Sequence, residues 1–232
     1  MKTIGLIGGM SWESSAEYYR IINEEIKKKL GGLHSAKCLL YSVDFKEIEH
    51  YQSIGAWDKA GEALGEVARS LEKAGADFIV ICTNTMHKVL GYIQEMITIP
   101  ILHIADATAE QIIRQDIRSV GLLGTKYTME QDFYKSRIAS HDINVIVPDD
   151  DERELINNII YQELCLGEIK QSSKNIYKKI INNLVDRGAE GIILGCTEIG
   201  LLVKVEDSEV PLFDTTLIHA QKAVNKSLSI SS

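Results

Sequence analysis

The sequence predicts an α/β protein made of two pseudo-symmetric halves, each a parallel sheet flanked by helices. Short apolar runs rich in Ile, Val and Leu alternate with longer stretches of helical periodicity. Such alternation is typical of βαβ units whose sheet is covered on both faces. The chain also repeats two of its apolar segments at nearly constant spacing, which favours two copies of one design.

The predicted elements follow this alternation from the N-terminus onward. The strand-like runs are Thr3–Ile7, Lys37–Val43, Asp77–Ile81, Ile99–His103, Val120–Leu123, Asn144–Val147 and Gly191–Leu194. The stretches with helical periodicity are Glu13–Leu30, Ala56–Ala74, Ala105–Gln115, Met129–Ala139, Arg153–Leu164 and Lys174–Arg187. Gly75 and Gly188 each follow a predicted helix and precede a strand, where a left-handed residue commonly ends a helix.

Two pairs of segments carry the internal repeat. Ile4–Gly9 resembles Val120–Thr125, and the first residues are offset by 120 − 4 = 116. Gly75–Ile81 resembles Gly188–Leu194, with an offset of 188 − 75 = 113. Two independent matches at nearly the same offset predict that the second half repeats the strand arrangement of the first.

The repeat also predicts the domain organisation. One half is expected to comprise residues 1–98 with 212–232, and the other residues 99–211. In open parallel sheets, ligands bind beyond the carboxyl ends of the strands. If the halves face each other about a pseudo-twofold axis, the turns after the repeated strands meet across one cleft, where we expect the active site.

Composition and charge exclude several classes of partner. The chain has 232 residues and a net charge of −8, and a negative surface repels phosphates, so no nucleic-acid partner is expected. No apolar run approaches the roughly 18 residues that cross a bilayer, and no secretory signal is recognised, which predicts a cytoplasmic protein without a membrane partner. The four cysteines are therefore expected as thiols. Neither they nor the six histidines have the spacing of a metal site.

Both repeated strands lead into polar turns that contain a cysteine, Cys82–His87 and Gly195–Glu198. Racemising an amino acid requires one group to remove the α-proton and another to return a proton on the opposite side. A thiol suits this chemistry because its reference pKa of about 8.5 is close to neutrality. Cys196 precedes a predicted short helix, Glu198–Val203, whose N-terminus is expected to lower that pKa further.

Four motifs, spread over the length of the chain, resemble those of the aspartate/glutamate racemase family. They are Gly8–Ser15, Thr83–Thr85, Ile192–Ile199 and Asp214–Thr216. The resemblance implies a racemase that needs no pyridoxal phosphate or other cofactor and that acts on a small acidic amino acid. It also implies two acid/base cysteines, with the first-half residue serving the D-enantiomer and the second-half residue the L-enantiomer. A homodimer is expected by resemblance alone.

One position departs from the family's pattern. The family's first cysteine lies immediately before Asn-Thr, where this chain has Thr83, and Cys82 is one residue earlier. Either Cys82 reaches the cleft through a shifted turn, or Thr83 takes the position and Cys82 points elsewhere. We favour Thr83 and Cys196 as the catalytic pair, because adjacent side chains at a strand end face opposite ways. An alcohol is a poor base near neutral pH, so we expect a bias toward L-substrates.

A substrate with two carboxylates needs amide, hydroxyl or cationic donors. Lys170 resembles the family's carboxylate-binding lysine, and an ordinary exposed helix lysine is the alternative. Gln52 lies where some relatives carry an arginine, which weakens the expected preference for a distal carboxylate. Met10 either lines the cleft or packs in the core. The remaining predicted substrate contacts lie in the turns and are Asn84, Thr85, Thr125, Thr197 and Glu198.

The glycines near the N-terminus do not form a GxGxxG pattern, so we interpret them as a tight strand-to-helix turn and not as a dinucleotide site. His87 either orients the Thr83 turn or, as we favour, simply begins a helix. Two other functions stay open. One is a related cysteine-dependent reaction of the maleate isomerase or hydantoin racemase type, and the other is an amino-acid-binding protein with weak catalysis.

Overall fold

The computed structural model describes residues 1–229, and these form two four-stranded parallel sheets flanked by helices. In chain order the strands are β1 Ile4–Gly8, β2 Cys38–Ser42, β3 Phe78–Ile81, β4 Ile101–Leu102, β5 Ser119–Gly124, β6 Asn144–Ile146, β7 Gly191–Gly195 and β8 Leu212–Asp214. The α-helices are α1 Trp12–Leu30, α2 Phe45–Ser53, α3 Trp57–Lys73, α4 Leu90–Glu95, α5 Ile104–Ile113, α6 Lys126–Glu130, α7 Asp132–Ala139, α8 Asp150–Gln162, α9 Gln171–Asp186, α10 Ile199–Leu202 and α11 Thr215–Leu228.

The chain folds as two compact units. The first comprises Met1–Ile104 and the segment that begins at His219, and the second comprises Ala105–Ile218. The first unit contains the sheet with strand order β2-β1-β3-β4, and the second contains β6-β5-β7-β8. The two orders are the same when β5 is matched to β1 and β7 to β3, so the predicted α/β class and the repeat of one strand arrangement are confirmed.

The internal repeat also preserves the register of the central strands. Ile4 pairs with Phe78 in the first sheet, and Val120 pairs with Gly191 in the second. These partners are related by the two offsets of the sequence repeat, 116 and 113 residues. Each repeated residue therefore occupies the same place in its own sheet.

The repeated strands share a glycine, Gly5 in β1 and Gly121 in β5, at a position where neighbouring side chains leave no room for a Cβ atom. A Cβ atom on Gly5 would lie 2.8 Å from Cδ1 of Ile79, and one on Gly121 would lie 2.7 Å from Cδ1 of Ile192. Both distances are shorter than packed carbon atoms allow. In each unit the neighbouring strand and a helix, α3 or α9, pack directly on the glycine, which only the absence of a side chain permits.

Separate clusters of buried side chains cover the two faces of the first sheet. Ile7 and Ile79 pack toward α3, whereas Leu6 and Val80 pack toward α1 and α11. This alternation follows from the two-residue period of a strand. Both faces are therefore buried, as the continuous apolar runs predict.

Several local predictions are wrong. The stretch Met129–Ala139 is not one helix, because Gln131 is extended and separates α6 from α7. The predicted strand Ile99–His103 is reduced to the two residues of β4. Four further elements, α2, α4, β8 and α11, lie in segments for which no helix or strand is predicted. The start of α11 had a recognisable signal, since the Asp214 carboxylate accepts hydrogen bonds from the backbone N–H groups of Thr216 and Leu217.

Within residues 1–229, no helix combines the length and the apolar composition that crossing a bilayer requires.

Candidate active site

The first candidate turn lies at the carboxyl edge of the first sheet. Ile7 pairs with Ile81, and the backbone N–H of Cys82 donates to the carbonyl of Ile7 over 2.9 Å, so the segments after β1 and β3 leave the sheet side by side. The Ser14 hydroxyl donates to the Cys82 carbonyl over 2.9 Å. A serine of the Gly8–Ser15 motif therefore fixes the backbone that precedes Thr83.

Gly9 forms the tight strand-to-helix turn that the sequence predicts. Its φ angle is +92°, and a side chain on it would collide with the backbone of Val43, so the position requires glycine. The Gly9 N–H donates to the Ser15 hydroxyl over 2.7 Å, which anchors the turn to the first turn of α1.

Cys82 and Thr83 lie in different environments. Cys82 is wholly buried in the core among Leu6, Tyr18 and Val80, and burial raises the pKa of its thiol. Thr83 is partly exposed. The hydrophobic core thus accounts for Cys82 as a small apolar residue, and Thr83 is the side chain of the two that a solute can reach.

The imidazole of His87 contacts the backbone of Thr83. Its Nδ1 lies 2.9 Å from the Thr83 carbonyl, and its Nε2 lies 3.2 Å from the backbone N–H of Ile104. Nδ1 therefore carries the proton and Nε2 accepts. Burial, followed by the neighbouring His103 and His219, lowers the pKa of His87, so the ring is neutral. His87 thus holds the Thr83 carbonyl, as the orienting role predicts, and it also lies in the first helical turn after Asn84.

His219, on α11, extends this buried histidine cluster. The Tyr18 hydroxyl lies 2.8 Å from His219 Nδ1, and His219 Nε2 lies 2.9 Å from the Leu102 carbonyl. Nε2 is thus the donor and Nδ1 the acceptor from tyrosine. Burial lowers the pKa of His219 to about 3.

The other first-unit candidates are all buried. Asn84 and Thr85 follow Thr83 in the turn, and Met10 packs in the core beside α3. The Gln52 side-chain amide contacts the sulfur of Met86 over 2.9 Å. Gln52 and Met86 therefore join α2 to the turn that contains Thr83.

The second candidate turn lies at the carboxyl edge of the second sheet. Gly124 pairs with Gly195, so Thr125 and Cys196 follow neighbouring strands. The Thr125 hydroxyl begins α6 by accepting from the N–H of Thr128 over 3.4 Å. The Thr215 hydroxyl donates to the Leu194 carbonyl over 2.8 Å, which fixes the end of β7 from the start of α11.

Cys196, Thr197 and Glu198 form one hydrogen-bonded group. The Cys196 thiol lies 3.0 Å from Oε2 of Glu198, and the Thr197 hydroxyl donates to the same oxygen over 2.6 Å. Glu198 is only 5% exposed. A thiol that donates to a buried carboxylate is a proton donor with its acceptor already in place.

The expectation that a helix N-terminus lowers the pKa of Cys196 is wrong. Burial and then the carboxylate of Glu198 raise the pKa of this thiol, because both disfavour a second negative charge. The helix that follows, α10, has only four residues, too few to build a substantial dipole. At neutral pH Cys196 is therefore a thiol in the resting protein.

Lys170 precedes α9 and is paired with carboxylates of its own unit. Its Nζ lies 2.8 Å from Glu168 and 3.5 Å from Glu163. The hydrogen bond with Glu168 raises the pKa of Lys170. Its side chain is half-exposed, so any contact with a substrate carboxylate would compete with these ion pairs. Across the described part of the chain, no group of His, Cys, Asp or Glu side chains is arranged to hold a metal ion.

A family model described as Asp/Glu/Hydantoin racemase matches residues 7–223. The chain belongs to this family. The broad specificity amino-acid racemase RacX of Bacillus subtilis (strain 168) is 24% identical over 237 residues, which cover 99% of this chain and 100% of that protein.

Two solved structures are similar to this chain over nearly its whole length. The crystal structure of a candidate Asp/Glu racemase from Yersinia pestis is 56% identical, with a TM-score of 0.93 and coverage of 99% of this chain and 100% of that one. An aspartate racemase homologue from Pyrococcus horikoshii OT3 is 37% identical, with a TM-score of 0.87 and the same coverage. The family predicted from the four motifs is thus confirmed.

The contacts that support the Thr83 turn were not predicted from the sequence. Ser14 and His87 both bind backbone carbonyls beside Thr83. The spacing of four residues between Thr83 and His87 was an available signal, because it allows a side chain to reach back to a carbonyl one turn earlier. No comparable signal marks Ser14, whose partner is 68 residues away.

Proposed function

We propose that this chain racemises acidic amino acids, aspartate or glutamate, by two-sided proton transfer at the α-carbon without a cofactor. In the proposal, Cys196 is the acid/base for the L-enantiomer and Thr83 the corresponding residue for the D-enantiomer. The observation that carries the proposal is the hydrogen bond between the Cys196 thiol and the buried Glu198, in a chain whose family and relatives are named racemases.

The Cys196–Glu198 pair supplies the base for the L-substrate. A thiol cannot remove an α-proton until it has lost its own, and the raised pKa of Cys196 makes that loss unfavourable in the resting protein. The Glu198 oxygen 3.0 Å away accepts the thiol proton. The thiolate then removes the α-proton. Thr197, bonded to the same oxygen, keeps the carboxylate oriented toward the sulfur.

Thr83 returns the proton on the opposite face of the α-carbon. A hydroxyl donates a proton to a developing carbanion but is a poor base near neutral pH. The Thr83 oxygen then regains a proton from solvent at its partly exposed turn, and Glu198 releases to solvent the proton that it took from the thiol. The hydrogen bonds of Ser14 and His87 to the adjoining carbonyls hold the backbone of Thr83 in one position, which favours proton transfer over a fixed distance. The predicted consequence is faster reaction of L- than of D-substrates.

The substrate range follows from the donors near these turns. Asn84, Thr85, Thr125 and Thr197 are proposed to bind the α-carboxylate, since amide and hydroxyl groups suit it. Lys170 is proposed for the distal carboxylate, in competition with Glu163 and Glu168. Gln52 is neutral and already contacts Met86, so the distal carboxylate is weakly recognised. The likeness to a broad specificity racemase agrees with activity beyond aspartate and glutamate.

The proposal is tested by exchange of the α-proton in D₂O, followed by NMR for both enantiomers of aspartate and glutamate. The wild-type chain is expected to exchange the L-enantiomers, and Cys196→Ala to lose that exchange by at least about a hundredfold. Cys38→Ala, which changes a cysteine of β2 in the other unit, is the matched control and should retain activity. Exchange of L-substrates that survives in Cys196→Ala would contradict the assignment.

A substrate panel separates the proposal from its alternatives. It contains neutral amino acids, maleate and a monosubstituted hydantoin beside the acidic amino acids. Turnover of maleate or hydantoin without α-proton exchange of amino acids would assign a different reaction to the fold. Binding of acidic amino acids without exchange in either enantiomer would indicate a binding protein.

A further inference from the structure

The first helix, α1, carries large apolar side chains on its outer surface. Trp12 is 67% exposed and Tyr19 is 52% exposed, although the outer face of a helix that covers a sheet is normally polar. The two residues are seven positions apart, so they lie on one face of the helix. This outer stripe of α1 consists of residues spaced three or four positions apart, namely Trp12, Ala16, Tyr19, Asn23, Lys27 and Leu30.

The apolar surface continues onto the edge strand of the first sheet. Leu40, on β2, is 45% exposed. A Cβ atom on Gly8 would meet both the Cδ1 atom of Leu40, at 2.9 Å, and the side chain of Ser15, so Leu40 lies beside the first turns of α1. Trp12, Tyr19 and Leu40 therefore lie on one side of the first unit and are not single scattered residues. Grouped exposed side chains of this kind mark interaction surfaces.

The residue types and the shape of the outer stripe indicate a protein partner. Trp and Tyr are enriched at the centres of protein–protein interfaces, where they contribute much of the binding energy. The stripe follows the convex surface of a helix, whereas small molecules bind in concave sites. A second helix can pack along such a stripe, with its side chains between those of the first.

The charges at the two ends of α1 identify the partner as a second copy of this chain. Glu13 lies in the first turn and Lys27 in the last, and neither side chain forms an ion pair with any of residues 1–229. Each lies seven residues from Arg20, since 20 − 13 = 7 and 27 − 20 = 7. If two copies of α1 pack antiparallel about a twofold axis at Arg20, Glu13 lies opposite Lys27 of the partner subunit. The net charge of −8 makes identical chains repel each other, so this pairing of unlike charges favours association at α1.

The same arrangement places aromatic side chains at the centre of the interface and at its two ends. Tyr19 is next to the axis and faces its own copy, and Trp12 lies near Leu30 of the partner subunit. Arg20, at the axis, already donates to two glutamates of its own helix, so its charge is balanced within each subunit.

We propose that the outer stripe of α1 is the interface of a homodimer, in which two copies of α1 pack antiparallel about a twofold axis at Arg20. The helix concerned also supports the Thr83 turn, since Ser14, in its first turn, donates to the Cys82 carbonyl over 2.9 Å. The partner subunit thus packs against the helix that holds this turn. The inference does not depend on the proposed function, because self-association is measured without any substrate.

Sedimentation velocity of the full chain, between about 1 and 100 µM, measures the association. The wild type is expected to be a dimer. Tyr19→Glu introduces a charge at the centre of the interface and should raise the dissociation constant at least about thirtyfold. Tyr92→Glu changes a tyrosine of similar exposure on α4 of the same unit, and this matched control should associate like the wild type. Urea denaturation checks that both variants are folded.

Reversal of the two terminal charges tests the antiparallel arrangement. Glu13→Lys and Lys27→Glu each place like charges opposite one another, so each should weaken dimerisation about fivefold. The double variant exchanges the two charges and restores unlike pairs, so it should associate nearly as tightly as the wild type. High salt should reduce the differences among these variants.

The outcomes decide between this interface and the absence of one. A wild type that stays monomeric over the whole range would overturn the inference, as would a dimer that Tyr19→Glu leaves intact. Equal weakening by Tyr19→Glu and Tyr92→Glu would overturn it as well, because the effect would not be specific to the outer stripe. A double charge variant that associates no better than the single variants would contradict the antiparallel pairing. None of these results depends on whether the chain racemises an amino acid.

Discussion

The turn after β3 and the turn after β7 occupy the same place in two matching sheets, yet their chemistry differs. In the first unit the cysteine, Cys82, faces the core and Thr83 is accessible. In the second unit Cys196 is only partly exposed and bonds to Glu198. The buried strand residues therefore pack in the same way in both units, whereas the residues of the turns that follow the strands differ.

The supports of the two turns differ as well. Neutral histidine and serine side chains hold the backbone around Thr83, so this turn is fixed by groups without charge. A carboxylate bonds directly to the Cys196 thiol, so the second turn places a proton acceptor beside its sulfur. The comparison explains why one turn is expected to donate a proton and the other both to accept and to donate one.

The largest expected effect comes from making the turns chemically alike. Thr83→Cys should raise exchange of D-substrates roughly a hundredfold, because a thiol is a far better base than an alcohol near neutral pH. Exchange of L-substrates should persist. The measurement is α-proton exchange of D-aspartate and D-glutamate in D₂O.

Cys82→Ala is the control for that prediction, since it alters the adjacent thiol in the core. It should leave the ratio of D- to L-exchange unchanged. If Thr83→Cys leaves D-exchange at the wild-type rate while Cys82→Ala abolishes it, Cys82 is the acting residue and the alternation argument fails.

Acid should destabilise the protein through the histidine cluster of the first unit. The pKa of His219 falls from 6.5 to about 3 on folding, so only the unfolded chain gains a proton between these values. Stability is therefore unaffected above pH 6.5 and decreases as the pH falls toward 3. One pKa unit corresponds to about 1.4 kcal/mol. Protonation of His219 in the unfolded chain therefore lowers the free energy of unfolding by about 2 kcal/mol at pH 5.

His219→Gln isolates this effect, because glutamine can accept from Tyr18 and donate to Leu102 but does not titrate. Urea midpoints measured from pH 7.5 to 4.5 should decrease less in His219→Gln than in the wild type. His50→Gln, on the exposed side of α2, serves as the control. Parallel curves for His219→Gln and the wild type would contradict the assignment of the acid loss to His219.

The smallest expected effect tests the equivalence of the two sheets. Gly5→Ala and Gly121→Ala should each destabilise the protein by about 1–3 kcal/mol, because the added methyl group collides with the neighbouring strand in both units. Gly91→Ala, where nothing lies within 4 Å of the new carbon, should be neutral or slightly stabilising within α4. Urea denaturation measures all three. A neutral Gly5→Ala beside a destabilising Gly121→Ala would show that the two sheets pack differently.

Much of the fold could be predicted because buried parallel strands leave a strong pattern. The apolar runs located seven of the eight strands, and the two offsets identified the matching pairs of central strands. The short elements were harder. The strand β8 has three residues and α10 has four, and in such short segments periodicity carries little information. The extended backbone of Gln131 separates α6 from α7. Glutamine is a residue type that helices accept, so the sequence gives no sign of this break.

The sequence by itself determined the family, the α/β class and the repeat of one strand arrangement, because continuous apolar runs and fixed motifs are local properties of the chain. It also singled out Thr83 and Cys196 as the unequal residues of the two turns. Only the tertiary structure decided the protonation chemistry around them. The pKa of Cys196 is raised, and not lowered, because burial and the Glu198 carboxylate outweigh a four-residue helix, and such a balance depends on distances that folding alone creates.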